Sequence, residues 1–221
     1  MTVPNISVAS AVYEGFEDLE PLTPLLRHIM PIVPELPHSM ALDMLRQKYT
    51  DFARRTRLLQ TEVKIPYQSG VRDYQLEAPD GYHIHAIMGM EEPHSPNPWY
   101  WYGEGYGHFR QPIAYDVIDN NIIRLRCTPS VDRPCGIKVL VMLLPLETVM
   151  QAPASLVVPF GQAWGRGVVA DALLIPNKPW TNESLSRTFD RQYERAVLNG
   201  RALAGTNRKV KSADFQPTRI L

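Results

Sequence analysis

The hydrophobic period of this chain changes near Glu62 and changes back after Pro153, and that switch limits the fold more than any other feature. Ser39 to Gln60 contains no Gly and no Pro. Within it Leu42, Leu45, Tyr49, Phe52, Thr56 and Leu59 recur every three or four residues, which is one face of an α-helix. From Glu62 onward Val63, Ile65 and Tyr67 alternate with polar residues, which is the period of a strand with one buried face. One pattern cannot serve both geometries, so helical ends must enclose a β segment.

Turn chemistry divides that segment. Ser69-Gly70 separates Val63–Tyr67 from Tyr74, Leu76 and Ala78. Pro79-Asp80-Gly81 presets one φ with proline and takes a positive φ with glycine. His83, His85, Ile87 and Gly89 start another strand. Tyr115 to Asp119, Asn120-Asn121 and Ile122 to Arg126 read as a hairpin, because asparagine tolerates left-handed backbone. Ile137 to Leu144 is a further strand. Six or seven antiparallel strands fit a small sandwich or barrel. Pro93 to Gly107, rich in Pro, Trp, Tyr and Gly, reads as a long loop with an aromatic tip.

Four helices are expected around this block. The first begins at Asp18-Leu-Glu-Pro, with Leu22, Leu25, Leu26 and Ile29 on one face, and Pro31, Pro34 and Pro37 end it. The second, with Ser39 as cap, carries Arg54, Arg55 and Arg57 in its last turns, where cations suit the helix dipole. Trp164, Val168, Ala172 and Ile175 mark the third, despite Gly161, Gly165 and Gly167. Thr181 or Asn182 caps the fourth, whose stripe is Leu185, Phe189, Tyr193 or Gln192, Ala196, Gly200 and Leu203. The fold class is therefore α+β. Residues 1–60 and 151–205 form a four-helix bundle, 61–150 an inserted antiparallel sandwich or barrel-like domain, and 206–221 an extended C-terminal tail.

Composition narrows the function. A net charge of zero argues against a bulk nucleic-acid binder. The zero conceals an asymmetry: residues 1–38 carry a net −4 and residues 183–221 a net +4. These could attract within a subunit or between neighbours head to tail. Cys127 and Cys135 make neither a disulfide framework nor a zinc pattern, so two free thiols are expected. The first ten residues lack the basic and apolar regions of a signal peptide, and no stretch has the length of a membrane span.

The sequence offers no catalytic set. It holds no Gly-x-Ser-x-Gly, no phosphate-cradling glycine loop with lysine and no His-Glu-x-x-His. His83 and His85 share a strand face and could meet His94 or His108 around a metal, but no acid completes the set, so no metal or cofactor is expected. Asp116 and Asp119 resemble a carboxylate pair, yet turn capping explains Asp119 better. Trp99, Tyr100, Trp101, Tyr102, Tyr106 and Phe109 could stack sugars or bases, or anchor a subunit or tail interface.

The tail, Thr206 to Leu221, holds Arg208, Lys209, Lys211 and Arg219 against Asp214 and ends on Ile220-Leu221. Basic tails with a few apolar anchors order on a partner surface.

Taken in order, a proline-broken first helix, the run Ala41 to Thr56, the strand-turn-strand ending Tyr74-Gln-Leu-Glu-Ala-Pro-Asp-Gly81, the helix around Trp164, Pro176-Asn-Lys-Pro-Trp180 and Phe189-x-x-x-Tyr193-x-x-Ala196 resemble the head-to-tail adaptor proteins of tailed, especially short-tailed, bacteriophages. The resemblance spans nearly the whole chain as types and spacings, without one diagnostic motif. It implies a virion structural protein, assembled in the host cytoplasm and without enzymatic activity. It implies a homo-oligomeric ring, commonly a dodecamer, beneath the portal, extending the channel for double-stranded DNA and docking tail or nozzle proteins. It implies that Arg208, Lys209, Lys211, Phe215, Arg219, Ile220 and Leu221 bind the portal ring, with Trp99, Trp101, Tyr102, Tyr106 and Phe109 at a subunit or tail interface. Two rivals stand beside it: a tail-tube or stopper component that never touches the portal, and a carbohydrate-binding β module using loop 99–109.

Overall fold

The computed structural model describes residues 18–91, 115–119, 121–128 and 133–213. The fold is α+β with antiparallel sheets. It divides into two compact units: residues 60–144 in one, and residues 18–59 with the chain from 145 onward in the other.

The β unit contains two three-stranded sheets. Strands β2 (Gln60–Tyr67), β7 (Arg133–Pro145) and β4 (Tyr82–Glu91) lie in the order β2-β7-β4. Strands β3 (Asp73–Gln75), β6 (Ile122–Leu125) and β5 (Tyr115–Asp119) lie in the order β3-β6-β5. Alternation places Val63, Ile65, Tyr74, Tyr82, Ile84, Ile123, Ile137, Val139 and Val141 in the interior. The hairpin expected around Asn120-Asn121 is present, with Asp119 facing Ile122 and Tyr115 facing Leu125. Gly70 and Gly81 take φ of +78° and +82°, as their turns require. The unit opens and closes on adjacent strands, since Gln60 of β2 faces Met142 of β7.

The helical unit is built around α2 (Ala154–Ala172). Phe160, Trp164 and Val168 turn toward α1 (His38–Thr56), where rings of Tyr49 and Trp164 stand 4.8 Å apart and those of Phe52 and Phe160 also 4.8 Å. On α1 the buried stripe is Ala41, Leu45, Tyr49, Phe52, Ala53 and Thr56, close to the expected one. Proline 37, not Ser39, precedes the helix, and Arg57 ends it at φ +57°.

The glycines that weaken α2 as an isolated helix mark its closest packing. A methyl group at Gly161 would stand 2.8 Å from Leu25 Cδ2, and one at Gly165 2.9 Å from His28 Cβ. At Gly167 it would stand 3.0 Å from the Tyr193 ring and 3.1 Å from Lys48 Cδ. Intrinsic propensity, about 1 kcal/mol per glycine against alanine, yields here to tertiary contact.

Three expectations change. The segment from Asp18 does not begin an α-helix: β1 (Leu19–Pro21) pairs with β8 (Gln151–Pro153), and only a 3₁₀ helix, Thr23–His28, follows. Pro24 at its start and the prolines from 31 onward leave room for little more than a tight turn. Helix α3 (Glu183–Ala213) carries its buried face on Ser186, Tyr193, Val197 and Gly200, which turns Leu185 and Leu203 outward. It also runs past Ala204 to Ala213, so the first half of the expected tail is helical. Residues 206–213 contain no Gly or Pro and are rich in Lys and Arg, which favour helix and its C-terminal dipole. Asn182 caps the helix as expected, its Oδ1 accepting the Leu185 N–H at 3.0 Å.

Gly200 packs α3 onto the end of α1. A methyl group there would stand 2.7 Å from Thr56 Cγ2 and 3.1 Å from Phe52 Cζ. Gly200→Val is expected to destabilise the helical unit by about 2 kcal/mol, an overpacking cost, read as a lower urea midpoint. An unchanged midpoint would mean that α1 and α3 separate at little cost.

Candidate functional site

Helices α1 and α3 run parallel, each antiparallel to α2, and their polar residues meet along one seam. Lys48, Asp51 and Arg55 lie about one turn apart on α1, so they share a face. Tyr193 and Glu194 of α3 come opposite. The Tyr193 hydroxyl donates to Asp51 Oδ2 at 2.8 Å and stands 3.1 Å from the Lys48 carbonyl. Arg55 grips Glu194 with both ends of its guanidinium, at 2.7 and 2.5 Å, and reaches Asp51 at 3.3 Å. Lys48 Nζ lies over the Tyr193 ring, 5.0 Å from its centroid, and pairs with Asp171 of α2 at 2.9 Å. Arg201 Nε closes the seam on the Arg55 carbonyl at 2.9 Å.

The electrostatics of this cluster of titratable groups are those of a clasp. Hydrogen bonding to Arg55 holds the Glu194 carboxyl below its usual range, and Glu194 in turn raises the Arg55 guanidinium. Burial, then the hydrogen bond to Asp51, raises the Tyr193 phenol, so it stays protonated as a donor. A phenol held protonated between two acceptors is a poor nucleophile and a poor base. The seam fixes three helices relative to one another.

The sequence-derived candidates fall elsewhere. His83 and His85 are exposed together on β4. Among the described residues no group of three His, Cys, Asp or Glu side chains could hold a metal. Asp116 pairs with Arg126 at 3.0 Å rather than with a second carboxylate. Cys127 is free and exposed. Arg208, Lys209 and Lys211 belong to the last turns of α3. Phe215, Arg219, Ile220 and Leu221 lie outside the described residues, as do His94, His108, Trp99, Trp101, Tyr102, Tyr106 and Phe109. No helix among the described residues is long and apolar enough to cross a membrane.

What the sequence did not disclose is the seam itself. Arg55 reads as a cation suited to a helix end, and nothing local joins it to Glu194, 139 residues away. The burial of Tyr193 follows from its place in an apolar stripe, but its hydroxyl partner on another helix does not. No protein-family model matches the chain, and no curated protein matches it.

Among the described residues, α3 also carries exposed cations outside the seam. It meets α1 through Gly200 and Arg201 and continues to Ala213. On its outer side Arg191, Arg195 and Leu198 are exposed.

The pH response of the seam has a definite sign. Because the Glu194 carboxyl sits below its ordinary value of 4.5 when folded, its contribution is complete above that value and is lost as pH falls through the lower folded value. Side chains 30% and 42% exposed are screened by water, so the pair contributes roughly 1 kcal/mol. Glu194→Gln is expected to cost about that at pH 7 and almost nothing near pH 2, measured by urea unfolding at both. A cost independent of pH would show that the charge is not what matters.

Proposed function

We propose that this chain is a head-to-tail adaptor of a tailed bacteriophage virion, a structural protein without catalytic activity. Copies form a ring beneath the portal, commonly a dodecamer, that extends the channel for double-stranded DNA and docks tail or nozzle proteins. In this reading the two three-stranded sheets are the layers of a sandwich. The helical unit is a bundle in which the 3₁₀ turn at Thr23–His28 stands for a broken fourth helix.

The observation that carries the proposal is the end of α3. A helix of 31 residues, about 46 Å long at 1.5 Å per residue, runs beyond its α1 partner. It enters a stretch of sequence in which four cations face one acid. A basic helix end followed by Phe215, Ile220 and Leu221 suits docking on an acidic, partly apolar partner, with charge guiding encounter and apolar residues anchoring it. The order of elements supports the same reading: a proline-broken start, α1, an inserted β unit, α2 around Trp164, and α3 with Tyr193 facing inward.

Two truncations test it. A chain ending at Gly205 is expected to remain folded, with the helical unit's unfolding midpoint nearly unchanged, and to lose binding to a portal ring in native mass spectrometry. A chain ending at Ala213 retains the basic helix and is expected to bind with at least tenfold weaker affinity, through loss of Phe215, Ile220 and Leu221. Full portal binding by the shorter chain would overturn the assignment of the tail. A full-length chain that ignores portal rings altogether would overturn the adaptor reading.

A further inference from the structure

We propose that two opposite flanks of the helical unit mate head to tail between copies of this chain: the outer face of α3 around Arg191, Arg195 and Leu198, and the β1–β8 ribbon around Asp18, Glu20 and Glu147. The proposal rests on the ring reading above and names the surfaces that would build the ring.

The geometry of α2 sets the two flanks apart. At about 100° per residue, Gly161 and Gly165 lie within roughly 40° of each other on α2, and the Thr23–His28 turn packs on them. Gly167 and Ala170 lie near the other side, roughly 190° around, and receive Tyr193 and Ser186 of α3. Helix α1 fills the arc between, on Trp164. The ribbon continues the first flank directly, since Leu22 N–H donates to Met150 O and Ala154 N–H to Asp18 O. A heterologous contact that closes a ring needs two different surfaces on two different sides of a subunit. These flanks meet that requirement.

Their chemistry is complementary. Arg191 and Arg195 are one turn apart on α3, exposed and without an ion-pair partner among the described residues. Like charges at this spacing repel by a few tenths of a kcal/mol, so within one copy the pair is a small liability. Asp190 lies on another side of the helix. Leu198, 58% exposed, stands beside the two arginines. On the ribbon, Asp18, Glu20 and Glu147 likewise have no ion-pair partner among the described residues. In sequence they adjoin Leu19 and Leu146, and Met150, 51% exposed, directly precedes β8. Of the cations on this flank, Arg46 pairs with Asp43 and holds the Val149 carbonyl, while Arg27 meets only the His28 imidazole and offsets part of the charge of the three acids. Among the described residues, each flank thus combines charge lacking an ion-pair partner with exposed apolar side chains, and the two flanks differ in sign. A second copy satisfies both at once.

Charge reversal with rescue tests the contact in the full-length chain. Association is measured by sedimentation velocity at low salt over a wide concentration range, with circular dichroism as the check on folding. Arg191→Glu with Arg195→Glu, and separately Glu20→Lys with Glu147→Lys, are each expected to weaken association at least tenfold. The fourfold variant, which exchanges the signs of both flanks, is expected to return within about threefold of the unaltered protein. Raising salt should weaken the unaltered and fourfold proteins alike. Unchanged association in either double variant overturns the contact. So does a fourfold variant no better than the doubles, which would point to another anionic partner, such as DNA, on α3. An unaltered chain that stays monomeric at every concentration also overturns it, while the ring reading then stands or falls on assembly with portal rings.

Discussion

Helix α2 is buried on most of its circumference, and that burial depends on glycines where most helices carry side chains. Gly161 and Gly165 admit the Thr23–His28 turn, and Gly167 admits Tyr193 and the stem of Lys48. With the backbones this close, Trp164 can sit fully buried against Tyr49 and Phe52. The polar seam of Lys48, Asp51, Arg55, Tyr193 and Glu194 then falls into register. A β-carbon at Gly167 would press on the Tyr193 ring that anchors that seam. The helical cost of three glycines is the condition for three elements meeting on one helix.

The same packing explains which parts of the fold were legible in the sequence. The α1 stripe was readable because six apolar or small positions repeat at helical spacing over nineteen residues without a breaker. The turns at Gly70 and Gly81 and the β5–β6 hairpin at the Asn pair were readable because these residues have few other uses. The segment from Asp18 was not. Asp18-Leu-Glu-Pro carries the signals of a helix, and only a distant partner, Gln151–Pro153, draws it into a ribbon. On α3, Leu185 and Ser186 compete for the core. Ser186 wins because its hydroxyl can donate to the Ala170 carbonyl at 2.8 Å while α2 and α3 stay close. A leucine there would hold the two helices apart.

The candidate functional surface was legible in charge and not in shape. The excess of cations toward the C-terminus is plain in the sequence, but whether it is a free tail or the end of a helix is a question of backbone geometry. Continuing α3 to Ala213 makes Arg208, Lys209 and Lys211 part of a rod whose spacing is set by the helix. A rod presents charge at fixed intervals and surrenders less conformational entropy on docking than a loose segment would.

The β unit enters the helical unit's sequence between α1 and α2 and separates them by 85 residues, 60 to 144. In an open chain of that length, bringing Phe52 to Phe160 carries a loop-closure cost of about 4 kcal/mol by (3/2)RT ln n. Pairing of Gln60 with Met142 removes most of it, because the ends of the long excursion are then neighbours. A β unit that forms first therefore turns the α1–α2 encounter from a long-range event into a nearly local one. The inserted unit therefore also acts as a splint that brings α1 and α2 within reach of each other.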